Sequence, residues 1–94
     1  MSMMVNVQDD FHLTRRQSRG RLFGICIEKT REAGGRSVEE AARLAGMAAS
    51  QWEAIEAGYV PADSTQLRSM AGALGLSFEK IARLAMLCGD AWKQ

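Results

Sequence analysis

The segment Ser37-Val-Glu-Glu-Ala-Ala-Arg-Leu-Ala-Gly46-Met-Ala-Ala-Ser-Gln-Trp52-Glu-Ala-Ile55-Glu-Ala-Gly58 constrains this chain more than any other. Ser37 followed by Glu40 is a capping box, in which each side chain binds the other residue's backbone N–H; it predicts a helix from Val38. Gly46 ends that helix, because a positive-φ backbone costs glycine least. A further helix is predicted from Ala49 to Ala57, stopped by Gly58. Its N-cap position, Ala48, has no side-chain oxygen, and losing a Ser or Thr there costs ~1 kcal/mol. Small Ala42 lies where the two helices would cross, and Trp52 and Ile55, three apart, would face a core. Two short helices at a tight glycine turn are thus expected before the rest of the chain is considered.

The flanking sequence supplies three more helices. Thr14 and Gln17 form a capping pair ahead of a first helix, Arg15 to about Ala33, ended by Gly34-Gly35. Gly20 and Gly24 weaken it, each by up to ~1 kcal/mol relative to Ala. Tyr59-Val-Pro-Ala62 reads as a loop. Asp63 with Gln66 caps a fourth helix, Ser64 to Leu74, whose apolar stripe is Leu67, Met70, Ala71 and Leu74. Gly75 closes it, and Ser77 caps a fifth helix from Phe78 to about Cys88 or beyond, with Phe78, Ile81, Ala82 and Ala85 inward. Residues 1–14 precede the domain. Their weak alternation of Val5, Val7, Phe11 and Leu13 allows a short strand, an extended arm or disorder. The chain is expected to be all-α: one compact five-helix domain over residues 15–94.

Composition narrows the function. Ninety-four residues allow one modest core. Apolar residues make up 47% and charged residues 24%, which fits a globular chain and not a disordered one. The net charge is only +1, so basicity is local, in Arg15, Arg16, Arg19 and Arg21. That cluster either touches phosphate or is a solvated first turn. Cys26 and Cys88 lack a Cys or His at ligand spacing, so no metal is expected; buried thiols are favoured over a disulfide. No signal peptide and no membrane-length apolar run is present, so a cytoplasmic protein is expected. The serines have no His-Asp company, no P-loop lysine follows Gly34-Gly35, and the glutamates are explained by caps and a solvated face. Neither an enzyme nor a cofactor is expected. His12 reads as a surface or half-buried histidine, and Trp52 as a core residue in preference to a stacking platform.

With these elements in register, the chain resembles the lambda-repressor-like (XRE-type) helix-turn-helix family, from about Leu22 to Ala82. The resemblance is carried by Ala42, Gly46, Trp52, Ile55, Glu56-Ala57-Gly58 and Ala71-Gly72-Ala73-Leu74-Gly75-Leu76-Ser77. It implies an ion pair between Arg31 and Glu56. It also implies double-stranded DNA as partner, with the helix from Ala49 to Ala57 in the major groove. The base-reading positions carried over are Ala49, Ser50, Gln51 and Ala54. Phosphate partners would be Arg36, Arg43, Tyr59 and Arg68, with Arg15, Arg16 and Arg19 from the basic cluster. Departures are visible: Val38 stands where the family often has a phosphate-holding Gln, and Ala41 and Trp52 exchange small for large and large for small. Alanine offers only contact to a thymine methyl, and no Arg is placed to grip guanine, so direct discrimination is expected to be modest.

One physical departure bears on assembly. If Phe23 and Ile27 face the core, Leu22, Ile25 and Cys26 lie on another face of the first helix. The last helix adds Leu84, Leu87, Cys88 and Trp92. Two surplus apolar faces suggest that they bury something. Either the long last helix folds back on the first, or both meet a second subunit in a dimer, which would suit paired DNA half-sites. The function expected is therefore a small dimeric transcriptional regulator. The alternative is a protein-interaction module on the same scaffold, favoured by near-zero net charge and alanines on the reading face.

Overall fold

The computed structural model describes residues 15–88, and for residues 15–19 the helix backbone alone. The expectations for the N-terminal arm, for Thr14 and for Trp92 lie outside the described residues, as do those for the Arg15, Arg16 and Arg19 side chains. Five helices follow one another: α1 Arg15–Ala33, α2 Val38–Leu44, α3 Ala49–Glu56, α4 Ser64–Leu74 and α5 Phe78–Cys88. No strand occurs among the described residues.

The helix ends have identifiable chemical causes. At α2 the full capping box forms: Glu40 N–H donates to Ser37 Oγ at 3.1 Å, and Ser37 N–H to Glu40 Oε1 at 3.1 Å. Asp63 caps α4 differently from the expected pairing with Gln66: its carboxylate accepts from the Thr65 N–H at 2.9 Å. Ser77 Oγ accepts from the Lys80 N–H at 3.1 Å to start α5. Gly46, at φ 70°, makes the turn between α2 and α3.

The principal packing runs in a closed cycle, α1 on α3, α3 on α2, α2 on α4, α4 on α5 and α5 back on α1. Phe23 and Ile27 of α1, Trp52 and Ile55 of α3, Leu67 and Met70 of α4 and Ile81 of α5 are all buried in one cluster. Ala41 and Ala42 complete it from α2, where small side chains let α3 approach. Each fully buried large side chain stabilises the fold by roughly 1.5–3 kcal/mol. Packing therefore outweighs the weak intrinsic stability of helices this short.

Gly20 and Gly24 turn out to be a packing device. A Cβ on Gly24 would fall under 3.0 Å from Glu56 O, Glu56 C and Ile55 O, all backbone atoms of the last turn of α3. A Cβ on Gly20 would collide in the same way with the Gly58 carbonyl oxygen. One turn apart on α1, the two glycines let the backbone at the end of α3 lie directly against the backbone of α1. What reads locally as a loss of helix propensity is what brings these two elements together.

Candidate functional site

The arrangement begins with what α3 hides. Trp52 and Ile55 point into the core, so Ser50, Gln51, Glu53 and Ala54 are left exposed on the opposite side, while Ala49 is half-buried and packs against the core edge. Of the four base-reading positions carried over from the family, Ser50, Gln51 and Ala54 share the open face. Glu53, which was not carried over as a base-reading position, is exposed at the edge of this face beside Ser50 and adds a carboxylate acceptor there. A shallow cleft of about 300 Å³ opens beside this face, lined by Gln51, Ala54, Ile55, Tyr59 and Gln66.

The two ends of α3 are held very differently. At its start Ala48 has the extended backbone of an N-cap, φ −73° and ψ 150°, with no side chain to accept a bond. The only side-chain cap there is half a box: Gln51 Oε1 accepts the Ala48 N–H at 3.3 Å. At its end Glu56 receives three donors. Arg31 Nε donates to Oε2 at 2.6 Å, Arg31 Nη2 to Oε1 at 3.2 Å, and the Trp52 indole Nε1 to Oε2 at 2.6 Å. Arg31 Nη1 also donates to the Arg36 carbonyl at 2.8 Å.

A single guanidinium thus joins α1, the α1–α2 loop and the last turn of α3. The paired side chains are only 11% and 12% exposed, so water screens the bidentate pair little and loss of either partner would strand a nearly buried charge. The hydrogen bond to Glu56 raises the Arg31 pKa from its already high value; the Coulombic attraction of Glu56, and then of Glu32 and Glu28, adds to this against the opposing effect of burial. The Trp52 N–H and the Arg36 carbonyl are the parts of this network that sequence reasoning missed. The spacing from Trp52 to Glu56, one helical turn, was the available signal.

The cationic and phenolic residues assigned to phosphate lie on four different segments, two loops and two helices. Arg43 is exposed in the last turn of α2, and Tyr59 is 60% exposed just beyond α3. Arg36 is half-buried in the loop before α2. Arg68 is exposed on α4, with its guanidinium 4.2 Å from the centre of the Phe78 ring, a cation–π contact that orients it at the surface.

A second concavity lies away from α3, where α1 meets α5. This groove, about 400 Å³, is lined by Cys26, Thr30, Leu76, Lys80, Arg83, Leu84 and Leu87. Leu22, Ile25, Met86 and Leu87 are exposed large apolar side chains on the same two helices. The last helix does pack back on the first, yet apolar surface on both is left uncovered. Among the described residues no cluster of His, Cys, Asp or Glu is arranged to hold a metal ion, and no helix is long and apolar enough to cross a membrane.

Comparison with known proteins agrees with this geometry. A family model described as a helix-turn-helix domain matches residues 22–84, from within α1 to within α5. No curated protein and no solved structure gives a match.

Proposed function

The chain belongs to the helix-turn-helix domain family, and from that premise we propose that it is a small, dimeric, cytoplasmic transcriptional regulator that binds double-stranded DNA with sequence preference through α3. Family membership supports nucleic-acid binding in general. The observation that carries the finer reading is the division of α3 into two faces. Trp52 and Ile55 lock one face into the core, and Ser50, Gln51 and Ala54 leave the other open, with side chains short enough for close approach.

A helix is roughly 10–12 Å across, and the major groove of B-DNA is ~12 Å wide, so short side chains let α3 sit deep in it. Ala49, Ser50, Gln51 and Ala54 would meet base edges. Arg36, Arg43, Tyr59 and Arg68, with Arg15, Arg16 and Arg19, would hold phosphates and set the register. The experiment is fluorescence anisotropy of a labelled mixed-sequence duplex across a salt series. Affinity should fall steeply as salt rises, by close to one log unit of affinity per log unit of salt for each phosphate neutralised. Selection from random duplexes should then return a palindromic site. Absence of binding at low salt refutes the reading.

A second reading is favoured by one observation, the uncovered apolar surface where α1 meets α5. Under it the scaffold is a protein-interaction module and the same surface seats a different protein. Under the first reading it seats a second copy, which would place two α3 helices on successive half-sites. Light scattering separates the two: a dimer mass supports the regulator, and a monomer mass removes the homodimer.

A further inference from the structure

We propose that the groove between α1 and α5 is the docking site of the chain's own N-terminal segment, residues 5–13, with the Asp9 carboxylate held by Lys80 and Arg83. The groove combines apolar walls, from Cys26, Leu84 and Leu87, with those two cations, three residues apart on α5. Both cations are exposed, and among the described residues no carboxylate pairs with either. An occupant that suits this groove brings several apolar side chains and one acid.

The segment ahead of α1 has that composition in a usable order. In an extended chain every second side chain shares a face. Val5, Val7, Asp9, Phe11 and Leu13 fall on one such face, four apolar side chains with one carboxylate among them. Reach sets the register. At ~1.5 Å per residue, Leu22 lies roughly 10 Å and Cys26 roughly 17 Å along α1 from Arg15. A chain that turns back at Thr14 and runs extended beside α1 covers up to ~3.3 Å per residue. Leu13 and Phe11 then pass the exposed Leu22, one turn before Cys26 on the same side of α1. Asp9 arrives about 20 Å from Arg15, at the level of Cys26, and Val7 and Val5 continue towards Thr30.

Other occupants match the groove less well. The same groove on a second copy carries the same two cations and no carboxylate among its lining residues. Residues 89–94 offer one large apolar side chain, Trp92. A seated arm covers part of the surface on which a second copy is proposed to assemble, so it limits self-association there. The inference does not depend on α3 reading DNA.

The half-buried Cys26 thiol, which lines the groove, reports on the arm. The full chain is alkylated with iodoacetamide and the rate at Cys26 is followed by mass spectrometry of its peptides. A site open only part of the time reacts in proportion to that time, so deleting residues 2–11 should raise the rate about threefold or more. Asp9→Lys should raise it similarly, and adding Arg83→Asp to that variant should restore part of the protection. Deleting residues 89–94 should leave the rate unchanged. An unchanged rate on deleting residues 2–11 or in Asp9→Lys overturns the proposal. So does a rise on deleting residues 89–94, which assigns the groove to the other end of the chain. Protection that fades as the full chain is diluted assigns the cover to a second copy and equally overturns it. Amide exchange in α3 distinguishes general loosening from an opened groove. If that exchange quickens too, the charge swap decides: protection regained supports the arm, and none regained overturns it.

Discussion

Alanine substituted for glycine should act with opposite sign at two helical positions of this protein, and the contrast tests how α1 and α3 are joined. In an open helix the exchange gains up to ~1 kcal/mol, since alanine loses less conformational freedom on folding. Gly72, in α4, is exposed and has nothing within 4 Å of its missing Cβ. Gly72→Ala should stabilise by ~0.5 kcal/mol. At Gly24 the same methyl meets Glu56 O, Glu56 C and Ile55 O at under 3.0 Å. These are backbone atoms; the Ile55 carbonyl already accepts the Gly58 N–H at 3.1 Å, and Glu56 is held by Arg31. No side chain is available to swing aside, so α3 must shift as a unit. Overpacking of a tight contact costs roughly 1–3 kcal/mol, and a backbone obstacle sits at the upper end or above it. Allowing for the gain in helix propensity, Gly24→Ala should destabilise by ~2 kcal/mol. For a domain of this size that lowers the melting temperature by roughly 10 °C, whereas Gly72→Ala raises it by a few degrees. Thermal unfolding followed by far-ultraviolet circular dichroism measures both. A Gly24→Ala protein as stable as its parent would refute the close backbone approach.

Four further perturbations address α3 and its ends. Arg31→Met leaves the Glu56 carboxylate nearly buried with only the Trp52 indole as side-chain donor, and should cost ~3 kcal/mol in urea unfolding; adding Glu56→Leu should recover a large part of the loss. Because the Arg31 pKa is raised, its contribution is complete below the unfolded-state value and is lost only as pH climbs through the still higher folded-state value. Stability measured from neutral to moderately alkaline pH should therefore show no loss from this group, and a drop near pH 8 that disappears in Arg31→Met would contradict the assignment. Trp52→Ile removes both buried volume and the N–H to Glu56, and should destabilise by ~3 kcal/mol; unchanged melting would count against the packing described. Ala48→Ser places a hydroxyl at an N-cap whose backbone is already extended, and should raise stability by ~1 kcal/mol in the same melting assay.

These cases show which parts of the molecule could be read along the chain. Ser37 with Glu40, Gly46, and the pair Trp52 and Ile55 were legible because their physics is local: a cap reaches three residues, and a helical face repeats within a turn. Ser50, Gln51 and Ala54 came from the family resemblance, and their exposure agrees with the same periodicity, since fixing the buried face fixes the open one. Gly20 and Gly24 mislead because their purpose lies far along the chain, in the carbonyls of Ile55, Glu56 and Gly58. Nothing near either glycine announces that partner. Gln51 falls between these extremes. Its position three residues after the cap fits half of a capping box, but Ala48 in the other half hides the pattern. The stacking of Arg68 on Phe78 joins two helices across a loop, and no local rule foretells it.

The uneven support of α3 has a mechanical consequence. Glu56 is clamped by three donors and the helix end is pressed onto the glycines of α1, whereas the one side-chain hydrogen bond at the start of α3 is the long one that Gln51 accepts from the Ala48 N–H. The helix is built as a cantilever, anchored at its far end and more lightly tied by side chains at its tip. Its direction is set by groups away from the exposed face, so substitutions at Ser50 or Ala54 change that face without altering where the helix points. The first turn of α3 is held by that one side-chain cap, by the Gln51 and Trp52 N–H groups on the Ala48 carbonyl, and by Ala49 against the edge of the core. Such a design lets the exposed Ser50 and Ala54 be exchanged while the anchor at Arg31 and Glu56 keeps the frame unchanged.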